Sequence, residues 1–373
     1  MNFTTLFPET ENVHLIKDVG MIPYIMYKEY NYNSKVVCYK NGDYLYLKDE
    51  VRGLDMEFIK NYTNKALIDG AIYLFNNSKK IDILQLYHLD IKAYVYAFIY
   101  KLVNRKGQLY IKLDADEDAI IRMTGKRKGI KYKIKEILTY LFVKYNIIDF
   151  LSIETKENYD KLVDYNKNLY KDKLFYLPNG ILINNFPNIN KKNIILTVGR
   201  LGTYEKATEI LLEAFANLKE IKDWKLILIG PIEESFKDYI NKYYQRYPNL
   251  LNQVIFVGNI ADRYILYKYY SEAKIFCLPS RYESFGIALI EAAFFGDYIV
   301  STDVGGAKDI LNETNYGSLI NVDDIKGLSQ TLQNLINDWD KYKKDPIEIQ
   351  NIVADKFNWV KLCKIIDEKI KNK

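Results

Sequence analysis

Short apolar runs separated by segments of helical periodicity set the rhythm of this chain. In the first half NVHLI, KVVCY, IDILQLY, QLYIKL, DFLSI and LFYL read as strands, with helix-like stretches between most of them, such as Asp90 to Val103 and Gly129 to Tyr145. In the second half NIILTVG, WKLILIG, VIFVG, KIFCLP and YIVST repeat the pattern, each followed by a helical segment. Runs that alternate with helices in this way predict parallel sheets covered on both faces. The expected fold class is α/β, with two Rossmann-like, doubly wound parallel-sheet domains. Between them LPNGILINNFPNINKKN carries prolines, a glycine and many asparagines, which is breaker chemistry. The expected boundaries are 1–178 for the first domain, 179–192 for a linker, 193–350 for the second domain and 351–373 for a terminal helix. No internal repeat points to a solenoid.

Composition narrows the function classes. A chain of 373 residues, 49% hydrophobic and 27% charged, is too apolar for disorder and long enough for two cores. A net charge of +5 is modest for this length, so no nucleic-acid partner is expected, and attraction to anions has to come from local patches. Cys38, Cys277 and Cys363 lack CxxC spacing and read as reduced thiols. The N-terminal MNFTTLFPETENVHLIKDVG has no basic segment leading into an apolar one, and no long apolar run follows elsewhere, so a soluble cytoplasmic protein is expected. The 34 tyrosines are spread along the whole chain, which favours compositional bias over a carbohydrate-stacking surface.

In open α/β sheets ligands bind beyond the carboxyl ends of the strands, so the turns after each strand are where chemistry is sought. After KIFCLP, the segment PSRYESFGIALIEAAFFGDYIVSTDVGG places Glu283 on the strand's carboxyl edge, ahead of a helix starting near Phe285 or Gly286. The first N–H groups of that helix suit a phosphate, and Gly286 lets a ligand approach the backbone. Glu291 lies deeper, in an otherwise apolar segment, where a carboxylate needs donors. Two vicinal ribose hydroxyls would supply them. On spacing alone the alternative stands equally: Glu283 caps the helix and Glu291 pairs with a neighbouring lysine. After NIILTVG, RLGTYEKATEILLEAF sets Arg200 and Lys206 in one strand-to-helix turn. Arginine's fork and lysine's point charge together can neutralise a departing diphosphate, against the alternative of solvated surface charges.

The stretches LPNGI, GRLGTYEKATEILLEAF, VIFVG and PSRYESFGIALIEAAFFGDYIVSTDVGG closely resemble successive motifs of retaining glycosyltransferases of family 4, which have the GT-B fold, from Asn179 to about Ile320. The resemblance implies two domains facing across a cleft, transfer of a sugar from a nucleotide-diphosphate donor to a glycan, lipid-linked or protein acceptor hydroxyl, and no metal or other cofactor. It implies that Arg200 and Lys206 hold the donor pyrophosphate, that Glu283 contacts the transferred sugar, and that Glu291 binds the ribose. Further donor contacts are implied at Gly199, Gly258, Ile260, Ser284, Phe285, Gly286 and Ile287. Ala207 stands where the family commonly has glycine, a departure expected to change little. The terminal FNWVKLCKIIDEKI is similar to the family's last helix, which crosses back to the first domain, with Trp359 and Leu362 as anchors.

The first half matches less well. NVHLIKDVGMIPYIMYKEY reads as a strand holding His14, a loop with Gly20 and a helix, similar to the family's phosphate-closing turn. His88 ends the strand IDILQLY, with an active role and a structural hydrogen bond equally open. Asp114 replaces a histidine expected by resemblance, which puts sugar recognition rather than reaction type in doubt; both are candidate sugar or acceptor contacts. The same DAD, Asp114 to Asp116, also fits a metal-binding DxD of a GT-A enzyme, a reading that leaves Arg200, Lys206 and the late glutamates unexplained. In TGKRKGIKYKIKEILTYLFVKY, Ile130, Ile134, Ile137, Leu138, Leu141, Phe142 and Tyr145 recur at helical spacing behind Lys126, Arg127, Lys128, Lys131, Lys133 and Lys135. Packing of this stripe on the sheet is the preferred expectation, with contact between 126–145 and an anionic inner membrane face as the alternative. Two rivals to a transferase remain: a catalytically silent partner of another transferase, and a nucleotide-sugar epimerase of the same fold.

Overall fold

The first half of the chain builds a seven-stranded parallel sheet from β1 (Asn2–Leu6), β2 (Asn33–Cys38), β3 (Asp55–Phe58), β4 (Ile83–Tyr87), β5 (Gln108–Leu113), β6 (Phe150–Ile153) and β7 (Leu174–Tyr176). Their order is β3-β2-β1-β4-β5-β6-β7. The second sheet, also parallel, has β8 (Lys192–Val198), β9 (Lys225–Ile229), β10 (Val254–Gly258), β11 (Ala273–Leu278), β12 (Tyr298–Thr302) and β13 (Gly317–Ile320) in the order β10-β9-β8-β11-β12-β13. In this computed structural model, which describes residues 1–115, 117–124, 129–184 and 186–373, each sheet centres its own unit. One unit comprises Met1–Gly180 with Trp359–Lys373, the other Ile181–Asn358.

The central strands are apolar at nearly every position because helices cover both faces. Ile195, Leu196, Leu226, Leu228, Ile275 and Phe276 are buried in the second unit. In the first unit the helix Trp359–Lys371 packs beside the helix Asp18–Tyr30, burying Trp359 and Leu362. Polar ties fix its register: Tyr32 donates to Asp367 Oδ1 at 2.8 Å and Gln108 Nε2 to the Ile370 carbonyl at 3.0 Å.

Three expectations for the first half are corrected. NVHLI is not a strand: Asn12–Ile16 is a 3-10 turn that buries only Leu15, and the first strand is the preceding NFTTL. His14 therefore sits in a turn, its Nδ1 accepting the Glu11 N–H at 2.8 Å, and burial lowers its pKa. Gly20 is not in a loop but in the first turn of the helix Asp18–Tyr30, where a Cβ would lie 2.2 Å from the Leu15 carbonyl oxygen. Finally, the helix Ile130–Lys144 does not bury its whole stripe. Leu138 and Phe142 pack on the core, while Ile130, Ile134, Ile137, Leu141 and Tyr145 are exposed. Lys126, Arg127 and Lys128 lie outside the described residues. No helix among the described residues is long and apolar enough to cross a membrane.

In the second unit Lys191 pairs with Asp297 and also donates to the Tyr270 carbonyl at 3.2 Å. Burial lowers the lysine's pKa and raises that of Asp297 to about 7, against the opposing pull of the partner charge. Lys191→Met alone is expected to cost about 3–5 kcal/mol by stranding the carboxylate, whereas the same change with Asp297→Leu is expected to be nearly neutral. An acid whose folded pKa lies above its unfolded value gains stability as it is protonated. The intact protein should therefore gain stability from this carboxyl as the pH falls from about 8 to about 5. Urea unfolding of the three proteins at the two pH values checks both statements.

Candidate functional site

Strands β8 and β11 are neighbours, yet the chain runs outward from them in opposite directions, to β9 and β10 on one side and to β12 and β13 on the other. Their carboxyl ends thus flank a topological switch point, the place where open α/β sheets bind their ligands. Glycines let the backbone crowd there. Gly230 has φ +139°, and a Cβ on it would lie 1.8 Å from the Gly199 carbonyl oxygen. The Gly199 N–H donates to the Ile229 carbonyl and the Gly230 N–H to the Gly258 carbonyl, each at 2.9 Å, so the ends of β8, β9 and β10 are laced together.

From the β8 side, the loop 199–207 leads into the helix Thr208–Ala216. Lys206 reaches across to Glu283, Nζ to Oε1 at 2.5 Å, and Ser280 Oγ donates to the same oxygen at 2.8 Å. Arg200 stands exposed at the start of the loop. Ala207 has φ +48°, a left-handed conformation that explains why glycine suits this position. From the β11 side, the helix Ile287–Phe294 starts after Gly286, whose φ is +88°, so it begins one or two residues later than its sequence suggests. Gly305 and Gly306 press against this loop: a Cβ on Gly305 would lie 2.7 Å from that of Glu283, and the Gly306 N–H donates to the Phe285 carbonyl at 2.7 Å. The Phe285 ring is core, near Phe357, so only its backbone remains for a ligand. Ser284, Ile287, Gly258 and Ile260 are half-buried along the same strand ends.

Arg281 was overlooked in the sequence although it sits inside the motif. Its Nη1 donates to the Tyr204 carbonyl at 2.8 Å, its Nη2 to Glu209 at 2.6 Å and its Nε to Asp323 at 2.7 Å. Its N–H donates to the Glu205 carbonyl at 2.7 Å, and the guanidinium lies 4.5 Å from the Tyr204 ring centre. One side chain therefore ties the Lys206 loop to the Glu283 loop.

Glu291 is buried, and its neighbours were not those expected from spacing. Arg263, stacked 4.7 Å from the Tyr267 ring centre, pairs with Oε1, and Tyr270 donates to Oε2 at 3.1 Å. The cation is an arginine rather than a lysine. Since a carboxylate has about four lone-pair sites, capacity remains for further donors.

The remaining candidates belong to the first unit. Gly20 opens a helix, as above. His88 follows β4 with φ +59°, its Nδ1 3.1 Å from the Asp114 carbonyl oxygen, so the structural hydrogen bond is present. Beside Asp114, Lys112 is fully buried, with Asp18 at 3.7 Å and Glu154 at 3.9 Å. Burial raises the pKa of both carboxyls despite the lysine, most strongly at Glu154. Asp116, needed for the DxD reading, lies outside the described residues.

Residues 182–349, nearly all of the second unit, match the family of glycosyl transferases group 1. An uncharacterized glycosyltransferase of Methanocaldococcus jannaschii is 28% identical over 174 residues, which are 46% of this chain and 43% of that protein. The chain thus spans less than half the length of that relative. An uncharacterized glycosyltransferase of Haemophilus influenzae is 26% identical over 311 residues, 78% of this chain and 84% of that one. Among solved structures, Anabaena HepE in complex with UDP and glucose superimposes over 100% of each chain with a TM-score of 0.74 at 17% identity. The two parallel-sheet units and this likeness identify the fold as GT-B.

The glycine contacts give a graded expectation. Gly230→Ala should destabilise by more than about 3 kcal/mol, because both φ and the Gly199 carbonyl oppose a methyl group. Gly258→Ala, at φ +86° with open space around it, should cost only about 1–2 kcal/mol. Denaturant midpoints of the two variants check the order.

Proposed function

We propose, from the match of the second unit to glycosyl transferases group 1, that this chain is a glycosyltransferase taking a nucleotide-diphosphate sugar as donor and transferring the sugar with retention to an acceptor hydroxyl. The observation that carries this reading is the meeting of Lys206 with Glu283 at the switch point of the second sheet. A cation and an acid brought together from different strands suit a ligand with an anionic end and a hydroxyl-rich end.

In this reading Arg200, Lys206, Gly199 and the N–H groups around Phe285, Gly286 and Ile287 hold the diphosphate, with Ser284 beside them. Glu283 accepts from hydroxyls of the transferred sugar. Glu291, oriented by Arg263 and Tyr270, accepts from the ribose, and backbone groups of Gly258 and Ile260 meet the base. As the bond from the anomeric carbon to the phosphate oxygen breaks, its electron pair passes to the diphosphate, whose growing charge the fixed cations stabilise. The acceptor oxygen bonds to the same face of the anomeric carbon and gives its proton to the departing phosphate. No metal, other cofactor or protein base is used in this route. Gly20, His88 and Asp114 of the first unit serve the donor phosphates, the sugar and the acceptor.

HepE holds UDP and glucose, so UDP is the first probe. A thermal-shift series with UDP, GDP and ADP should raise the melting temperature for one of them. Lys206→Ala should lower turnover about a hundredfold or more while the fold stays intact. Glu291→Ala should weaken nucleoside diphosphate binding by at least about tenfold, the loss of a charged hydrogen-bonding partner. Wild-type kinetics in both variants would overturn the assignment. Donor turnover separates the rivals, since a silent partner shows none and an epimerase interconverts sugars without an acceptor.

A further inference from the structure

One face of the first sheet is covered by the helices Ala66–Asn77, Ile91–Val103 and Ile130–Lys144. The first two pack side by side, and Tyr94 joins the second to the third through a 2.6 Å hydrogen bond with Thr139 and an edge contact with Phe142. Their inner sides supply the core: Tyr73 and Leu74, Ala93 and Ala97, and Val143 are buried.

The outer sides are unusually apolar. Ile68 and Phe75 are exposed on the first helix, the phenylalanine at 64%. On the second, Ile91, Phe98 and Leu102 are exposed at 65%, 55% and 58%. On the third, Ile130, Ile134 and Ile137 face outward, Ile130 at 82%. Isolated exposed leucines are ordinary on a protein surface, but aromatic and branched side chains grouped on adjoining helices mark an interaction face.

Its charge narrows the partner. These helices run parallel, so their carboxyl ends meet at one edge, where Lys79, Lys80, Arg105, Lys106 and Lys144 are all exposed. Lys144 lies 5.1 Å and 5.8 Å from the ring centres of Tyr140 and Tyr145, placing a cation over aromatic rings at the rim. Lys133 adds charge beside the isoleucine stripe. Apolar side chains at the centre with lysine, arginine and tyrosine at the edge are the arrangement that suits a bilayer with anionic headgroups.

We infer that this three-helix face docks on the surface of an anionic membrane. Phe75, Phe98, Leu102 and the isoleucines of the third helix enter the acyl boundary, and the basic edge meets lipid phosphates. The inference goes beyond the transfer reaction and does not depend on it.

The test is flotation of the full chain with vesicles of phosphatidylcholine alone and with phosphatidylglycerol admixed, at low and high salt. Binding is expected only with phosphatidylglycerol, weakening as salt screens the basic edge. The pair Lys79→Gln and Lys80→Gln should lower partitioning on the order of tenfold to thirtyfold. Phe98→Asp with Leu102→Asp should abolish it, with unchanged melting temperature and circular dichroism showing that the fold is intact. Failure to float with phosphatidylglycerol at low salt, or flotation indifferent to both pairs of changes, overturns the inference. So does a dimer in light scattering that Phe98→Asp dissociates, since the face would then be covered by a second copy.

Discussion

Lys206 and Glu283 leave the sheet on different strands, and nothing in the local backbone of either loop obliges them to meet. Arg281 supplies that obligation. Its guanidinium spends three donors on the Tyr204 carbonyl, Glu209 and Asp323, while its own N–H reaches the Glu205 carbonyl. A planar guanidinium holds its several donors in fixed directions, which suits it to partners on three segments better than a lysine's rotating point charge. The pair at 2.5 Å is therefore braced by a neighbour that bonds to the segments carrying it. The glycines beneath complete the frame, because only a strand end without a Cβ tolerates the Gly199 carbonyl against Gly230.

The two units share an architecture and differ at their strand ends. In the second unit the edge is opened by glycines and armed with Arg200 and Lys206. In the first, aromatic and acidic groups gather there: Phe7 lies against His14, Tyr87 and His88, and Lys112 is enclosed between Asp18 and Glu154. The exposed Arg200, and Lys206 held half-buried by Glu283, suit the second edge to an anionic ligand.

Legibility in the sequence followed how local the determinant was. Strands β8 to β12 were readable because each is a continuous apolar run ending in glycine, proline or threonine. By contrast β1 was missed because its buried Thr4 and Thr5 look polar, and β3 because DMEF, half-exposed at the sheet edge, carries two acids. NVHLI has the composition of a strand but buries a single residue, which only tertiary packing decides. The candidate acids and cations after β8 and β11 were visible, whereas their partners were not: Arg263 is 28 positions from Glu291, and Arg281 finds Glu209 across 72. Periodicity announced a stripe on the helix Ile130–Lys144 without saying which part would be covered. The sheet takes Leu138 and Phe142 and leaves the isoleucines outside.

The helix Trp359–Lys371 belongs to the first unit although nearly the whole of the second precedes it in the chain. Tyr30, Tyr32 and Gln108 are made early during synthesis, but their partners at Val360, Asp367 and Ile370 arrive only after the second unit. The first sheet therefore has to wait on the ribosome with one flank unsealed until the second has been translated, a nascent state in which its apolar side depends on delayed closure or on temporary shelter by other factors.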